Sequence, residues 1–312
     1  MAAKKRTARK KRSWGWKVAL ALLVLLALCL GGLYATARVV HVRYATVYLR
    51  GLPPAFEGTT LLFVSDIDAH SAQDARAAAA MMDTLAALRP DVLLLGGDYA
   101  APGFWEGLNG MGVDDPAVAA DAAANRYLFL SSLADFPAPL GKFAVAAADD
   151  VLPGQLLQAM GVGSVRLLDG ATATLTRDGQ TLTLAGLSPT GDVSTVAGSV
   201  RAGDCVIAFT HSPALFPAAL TAEASDGGLW VDVLLAGGTH GGQVRLGSQT
   251  LLPLTGQEQR YAAGWRKEGG AYLLTSQGVG CEGLPLRLGT TAEVHFITLR
   301  RAQAAPEGTA GQ

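Results

Sequence analysis

Carboxylates and imidazoles stand at the ends of four separate apolar runs in this chain. The islands are Ser65-Asp66-Ile67-Asp68, Gly96-Gly97-Asp98-Tyr99, Thr210-His211-Ser212-Pro213 and Gly238-Thr239-His240-Gly241-Gly242-Gln243. A fifth, Ala147-Ala148-Asp149-Asp150, lies between the second and third. Oxygen and imidazole donors gathered from several loops are what a divalent cation site needs. Any one island says little, because an Asp after a strand usually caps a helix and a lone His usually satisfies a neighbour. Four in this order point to a shared centre of Asp66, Asp98, His211 and His240, with Asp68 as a further oxygen donor.

Such a centre needs strands that end on one edge of a sheet. Leu61–Val64, Val92–Leu95, Phe143–Val145, Cys205–Phe209 and Val231–Leu235 are short apolar runs of the length expected for buried strands. Ala72 to Leu88 reads as a helix stopped by Pro90, and Pro116 to Leu133 as a helix with Pro in its first turn. Asp178-Gly179 between two Thr-rich stretches, 171–176 and 181–184, signals a hairpin. Ala271–Thr275 and Ala292–Leu299 complete the strand-like runs. Alternating strands and helices followed by hairpins predict an α/β fold of two stacked sheets with helices outside.

The charge is unevenly spread. Residues 1–17 hold eight Lys/Arg and no acid, so the remainder carries 17 basic against 26 acidic residues, or −9. An acidic body argues against a nucleic-acid partner, which would want cations on the folded surface. Val18 to Ala37 is an uncharged apolar stretch, long enough to cross a bilayer core of about 30 Å. Cations before it place the N-terminus in the cytoplasm. The expected organisation is therefore a basic tail 1–17, a membrane anchor 18–37 embedded in the lipid bilayer, a connector 38–57, a domain 58–299 outside the membrane, and a polar tail 300–312. Cleavage after Ala35-Thr36-Ala37 as a signal peptide is the alternative, and it too exports the domain. Cys205 and Cys281 read as structural residues, with no metal-binding spacing.

The islands, together with Ala263-Gly264-Trp265 and Gly283-Leu284-Pro285-Leu286-Arg287-Leu288, resemble the calcineurin-like metallophosphoesterases. The similarity is to a bacterial membrane-anchored branch related to lipid-A-precursor and phospholipid phosphoesterases. It covers about residues 58–299. The resemblance implies a four-layer α/β/β/α sandwich, after the single transmembrane helix, holding two divalent ions such as Mn, Fe, Zn or Mg. It implies that Asp66 and His240 bind the first ion, His211 the second, and that Asp98 bridges them.

The chain also departs from that pattern. Asp68 stands where the first motif has His, and Ala148 and Asp149 where the third has Asn and His. Gly238 replaces a His of the last motif, and Gln277 stands where an Arg is usual. Counted this way the first ion keeps Asp66, Asp98 and His240, with Asp68 as a substitute, while the second keeps Asp98 and His211. About three protein ligands hold a catalytic ion, so one divalent ion (Mn, Mg, Fe or Zn) or none is expected rather than two. Asp149 is the candidate general acid, with the alternative that Asp149 and Asp150 are exposed loop carboxylates. His70 is read as an exposed loop residue or a substitute ligand, and His41 and His295 as structural. The expected function is an exported binding or scaffold module with impaired chemistry. The alternative is an active phosphoesterase using one retained ion, on a phosphoester ligand that is lipid-linked. Serine-hydrolase elbows, nucleotide-phosphate loops and His-Glu-x-x-His zinc motifs are absent.

Overall fold

A computed structural model describes residues 3–103, 106, 109, 115–150, 153–247, 249–250 and 253–302, with 3–13, 149 and 153 described in backbone alone. The apolar runs form strands. One six-stranded sheet has the order β1 (His41–Leu49), β14 (Glu293–Arg301), β2 (Thr60–Val64), β3 (Val92–Leu95), β4 (Lys142–Ala144) and β5 (Arg166–Leu167). The second has the order β12 (Gly264–Glu268), β13 (Ala271–Thr275), β9 (Val233–Ala236), β8 (Val206–Thr210), β7 (Gln180–Leu187) and β6 (Ala171–Arg177). A ribbon of β10 (Arg245–Leu246) and β11 (Gln249–Thr250) lies apart from both. β2 through β5 run parallel, as do β7, β8, β9 and β13. Loops leaving the C-terminal ends of parallel neighbours open on a common edge.

Both faces of β2, β3, β8 and β9 are buried, which explains their largely apolar sequences. Leu61, Phe63, Val92 and Leu94 of the first sheet share one core with Ile207, Phe209, Val233 and Leu235 of the second. The alternate residues Leu62, Val64, Leu93 and Leu95 pack with Ala75 and Met82 of α2 (Ala72–Leu85), Phe129 of α3 (Pro116–Ser131) and Leu156 of α4 (Pro153–Val162). On the second sheet Val206, Ala208, Leu234 and Ala236 pack with Val196 of α5 (Val193–Ala197) and Phe216 of α6 (Phe216–Thr221). Ser71 caps α2 by accepting from the Asp74 N–H, and Asp115 caps α3 with Pro116 behind it. A last short helix, α7, spans Gly256–Arg260.

The N-terminal helix α1 spans Ala3–Ala37. Its Trp14–Ala37 portion contains an exposed 18-residue stretch of mean hydropathy 2.6 and is long and apolar enough to cross a membrane, while Ala37 at its end is buried. The stretch expected as a connector behaves differently. His41–Leu49 is a nine-residue strand along the parallel edge of β14, in register from His41↔Glu293 to Leu49↔Arg301. Val47 and Leu49 enter the central core. The apolar helix therefore runs almost directly into the sheet. Cys205 and Cys281 are buried and unpaired.

Glu293 ties β1 to β14. Its carboxylate accepts from Arg43 Nε on β1 at 3.0 Å, from His295 Nε2 at 3.2 Å and from the Gln277 N–H at 3.1 Å. Burial alone would raise this carboxyl, but His295, Gln277 and Arg43 pull it down to about 2. His295 is thus structural, as expected. A depressed folded pKa stabilises above the unfolded value and is lost as pH falls through the folded one. Glu293→Gln should therefore cost about 2–3 kcal/mol at pH 7. Urea titrations of both forms from pH 7 to pH 3 should show that difference shrinking below about pH 4.5. A gap that stays constant over this range would refute the account.

Candidate metal centre

Every island predicted to bear a ligand leaves the C-terminal end of a parallel strand. Asp66 and Asp68 follow β2, Asp98 follows β3, His211 follows β8 and His240 follows β9. The two sheets are stitched at this rim by their loops. Asp66 Oδ1 accepts from the Gly238 N–H at 2.6 Å, and His211 Nδ1 lies 3.0 Å from the Gly96 carbonyl. The five side chains meet as two triads that share a residue: Asp66, Asp98 and His211, and Asp68, Asp98 and His240. Within each triad the donor atoms lie within 4.8 Å of one another. His240 Nε2 is 3.6 Å from Asp68 Oδ2 and 3.9 Å from Asp66 Oδ1. Asp66 thus groups with His211, whereas the resemblance implies grouping it with His240.

The backbone is bent to achieve this. Asp66, Asp68, Asp98 and His240 have φ of 54°, 45°, 58° and 49°. Such left-handed conformations are uncommon outside glycine and gather at functional sites, with Asp and His better able than most to adopt them. Glycines make the room. A Cβ at Gly237 would collide with Asp66 Oδ2, and one at Gly278 (φ 69°) would come within 2.5 Å of Asp66 Cβ. At Gly238, where the family pattern has His, a Cβ would lie 3.2 Å from His211 Nε2. The smaller residue there is matched to its surroundings.

Electrostatics favour a cation. Asp66 and Asp68 are buried, and Asp66 Oδ2 and both oxygens of Asp68 have no hydrogen-bond donor among the described residues. Buried polar atoms are nearly always partnered, so three orphaned carboxylate oxygens at one place are unusual. Burial and the neighbouring carboxylates Asp98 and Asp66 hold Asp68 well above the usual carboxyl range. Asp98 is pushed up to about 7 by burial, with Asp150 and Asp66 adding and His211 opposing. Burial would lower His211, but Asp66, Asp98 and Asp150 outweigh it and raise that imidazole. Burial takes His240 down to about 4, with Asp66 opposing and Arg287, His211 and His70 adding, so at neutral pH it is uncharged, as a ligand must be. Donation from His211 Nδ1–H to the Gly96 carbonyl would leave Nε2 as the ligating atom. A divalent cation fits this donor set, and oxygen-rich ligation suits Mg, Mn or Ca over softer metals.

Several residues around the centre escaped sequence reasoning. Asp150, read as an exposed loop carboxylate, is buried. It accepts from the N–H groups of Asp98 at 2.7 Å, Tyr99 at 3.1 Å and Ala147 at 3.0 Å, and so fixes the bend that presents Asp98. Arg126 Nε of α3, also buried, lies 3.4 Å from Asp150 Oδ1 as an ion pair without hydrogen-bond alignment. The side chain of Asp149, the candidate acid, lies outside the described residues. His70 is half-buried and lies in neither triad. Its Nδ1 faces the Pro102 carbonyl at 2.5 Å and its Nε2 the Cys281 carbonyl at 2.7 Å, and the neutral ring donates to one of the two. Arg287, quoted above only as part of a resemblance, is buried under the centre. Its Nη2 donates to the carbonyls of Gln277 and Gly280 at 2.8 and 2.6 Å and sits 3.5 Å from His240 Nδ1. It thereby binds the turn that carries Gln277. A signal existed for Asp150, since it is the acid that ends the fifth island. None existed for Arg126.

Removing one partner of a buried ion pair leaves the other charge uncompensated, at about 3–5 kcal/mol. Asp150→Ala should show a loss of this size in urea unfolding and should also weaken Mn binding, because Asp98 loses its support. Adding Arg126→Met should recover part of the stability but not the metal affinity. Recovery of both would mean that Asp150 does not position Asp98.

No protein-family model matches the chain. A curated protein of Aquifex aeolicus (strain VF5), described as an uncharacterized metallophosphoesterase, is 28% identical over 180 residues. The match takes in 54% of this chain, and the chain spans 64% of that relative's length. The likeness supports the metallophosphoesterase superfamily, in agreement with the mixed α/β architecture and with the two candidate ligand triads.

Proposed function

We propose that this chain is a membrane-anchored, metal-dependent phosphoester hydrolase whose centre is rebuilt around carboxylate oxygens. The observation that carries the reading is the pair of triads sharing Asp98, set among carboxylate oxygens that lack donors. We read the three apolar cores as the interfaces of an α/β/β/α sandwich, with the anchor at 18–37 and the domain outside the membrane. Asp66, Asp98 and His211 would hold one ion, and Asp68, Asp98 and His240 a second. With Asp66 counted beside His211, both positions have the three protein ligands of a catalytic site. When bound, the cation supplies a nucleophilic hydroxide and charge stabilisation for the phosphoryl oxygens.

The chain's own groups have separate tasks. Asp150 holds the Asp98 turn by its backbone, and the glycines at 237 and 278 let the Asp66 carboxylate lie against backbone. His240 is kept neutral by burial and by Arg287 behind it. One specific observation favours a second reading, a metal-binding module without turnover: Ala148 and Asp149 occupy the positions where the family pattern has Asn and the His that assists the leaving group.

The test uses the full chain in lipid nanodiscs with Mn, metal analysis and a chromogenic phosphodiester. Bound Mn with turnover that falls by about 100-fold or more in Asp98→Ala would support the hydrolase. Asp68→Asn should lower Mn occupancy as well, since two of the three carboxylate oxygens without donors are its own. Mn without turnover would favour the binding module, and a chain that takes up no Mn, Mg or Zn would overturn both.

A further inference from the structure

One buried cation at this rim has almost no hydrogen bonds. Arg126 of α3 is 4% exposed. Its Nε is closed off from water without an acceptor, and neither Nη has one among the described residues. A guanidinium carries five N–H donors, and burying them without acceptors is costly. Asp150 lies 3.4 Å away but gives no aligned bond, and three main-chain N–H groups already occupy its oxygens. A guanidinium placed only as counterion to a carboxylate would sit closer, with its N–H bonds aimed along the pair. Two contacts hold α3 at this place. Asn125 Nδ2 donates to the carbonyl of Ala69, beside Asp68, at 3.3 Å. Phe129 stacks on Tyr99, beside Asp98, with ring centroids 6.4 Å apart. Arg126 therefore stands where the loops of Asp68, Asp98 and Asp150 come together.

We propose that the Arg126 guanidinium binds the phosphoryl oxygens of a ligand at the centre, from a helix position outside the ligand islands. The inference rests on the hydrolase reading for the phosphoryl group itself. Three observations select this partner. The N–H edge of the guanidinium lacks acceptors, and its planar fork matches the spacing of phosphoryl oxygens. The fifth island has lost the donors that the family pattern sets there, with Ala148 in place of Asn and Asp149 in place of His. Ala148 is short and exposed, so its side chain leaves the rim beside Asp150 open. Arg126 approaches that same island from α3, and Asp150 keeps it there by charge while leaving its N–H groups unspent. The donor function thus passes from a loop to a helix held by Asn125 and Phe129.

The experiment reads binding and not turnover. The full chain in nanodiscs is loaded with Mn and titrated calorimetrically with phenylphosphonate, whose P–C bond resists hydrolysis. Expected is Mn-dependent binding that weakens by about ten- to hundredfold in Arg126→Met, with bound Mn unchanged. Arg126→Lys keeps a charge beside Asp150, so the fold should persist, but it loses the planar fork and should weaken the phosphonate by about tenfold. A merely structural role would lower Mn occupancy instead, since Asp150 carries the Asp98 turn. Phosphonate binding that is absent, indifferent to Mn or unchanged in the two variants would overturn the proposal, as would a loss of Mn in parallel with the phosphonate. Should the Met variant not fold, the Lys variant decides by the same criteria. A chain that binds Mn and loses phosphonate with Arg126 as expected, yet turns over no ester, would sink the hydrolase reading and leave the Arg126 assignment standing. Turnover in the wild type with full phosphonate affinity in both variants would do the reverse.

Discussion

The rim of this fold is organised by the need to keep several carboxylates close together and away from water. Asp66, Asp68 and Asp150 are buried, and Asp98 stands between them. Like charges at this spacing repel, and burial penalises each of them, as the raised positions of Asp68 and Asp98 record. An arrangement of this kind persists if fixed positive charge, a bound cation or protonation of the carboxyls offsets it. The fold supplies part of the offset through backbone N–H groups aimed at Asp66 and Asp150, and part through Arg126. Asp68 receives neither and is held well above the usual carboxyl range, so it keeps its proton beside Asp98 until a cation displaces it.

The parts that answer this constraint come from distant stretches of chain. The Gly237-Gly238 turn after β9 delivers an N–H to Asp66 after β2, across the two sheets. The turn after β13 lies under the same residue through Gly278, and Arg287 ties that turn's carbonyls to the underside of His240. Glu293 then fastens Gln277 to β14 and β14 to β1. The apolar N-terminal helix, running into β1, is thus linked to the centre by ordered hydrogen bonds.

The strands and the four ligand islands were readable because strands buried on both faces leave unbroken apolar runs, and turns at their ends leave Gly, Asp and His. Val92–Leu95 and Ala271–Thr275 are strands at the bounds the sequence suggests. β1 was not readable, since a half-exposed edge strand with Arg43, Tyr44 and Tyr48 facing outward carries no such run. The role of Asp150 was hidden for a different reason. Its carboxylate answers three N–H groups of the main chain, which leave no mark in side-chain identity. His70, read as an exposed loop residue or a substitute ligand, is half-buried with its ring nitrogens facing the carbonyls of Pro102 and Cys281.

The departures from the family pattern form a set and not a scatter. Gly238 gives up an imidazole but donates its N–H to Asp66, and the space a side chain would take lies against His211. Asp68 gives up another imidazole and contributes two oxygens aimed at no donor. Each exchange trades a nitrogen ligand for oxygen or for support of an oxygen, and both occur within reach of His211 and His240, the two imidazoles that remain in the triads. Random decay of an unused centre would be expected to admit bulk, or to pair the stranded carboxylates with Lys or Arg, since uncompensated buried charge is costly. Here the nearest arginines engage Asp150 and the carbonyls of the 277–280 turn, and no Lys or Arg pairs with Asp68 among the described residues. The resulting set of carboxylate oxygens with His211 and His240 suits a harder cation.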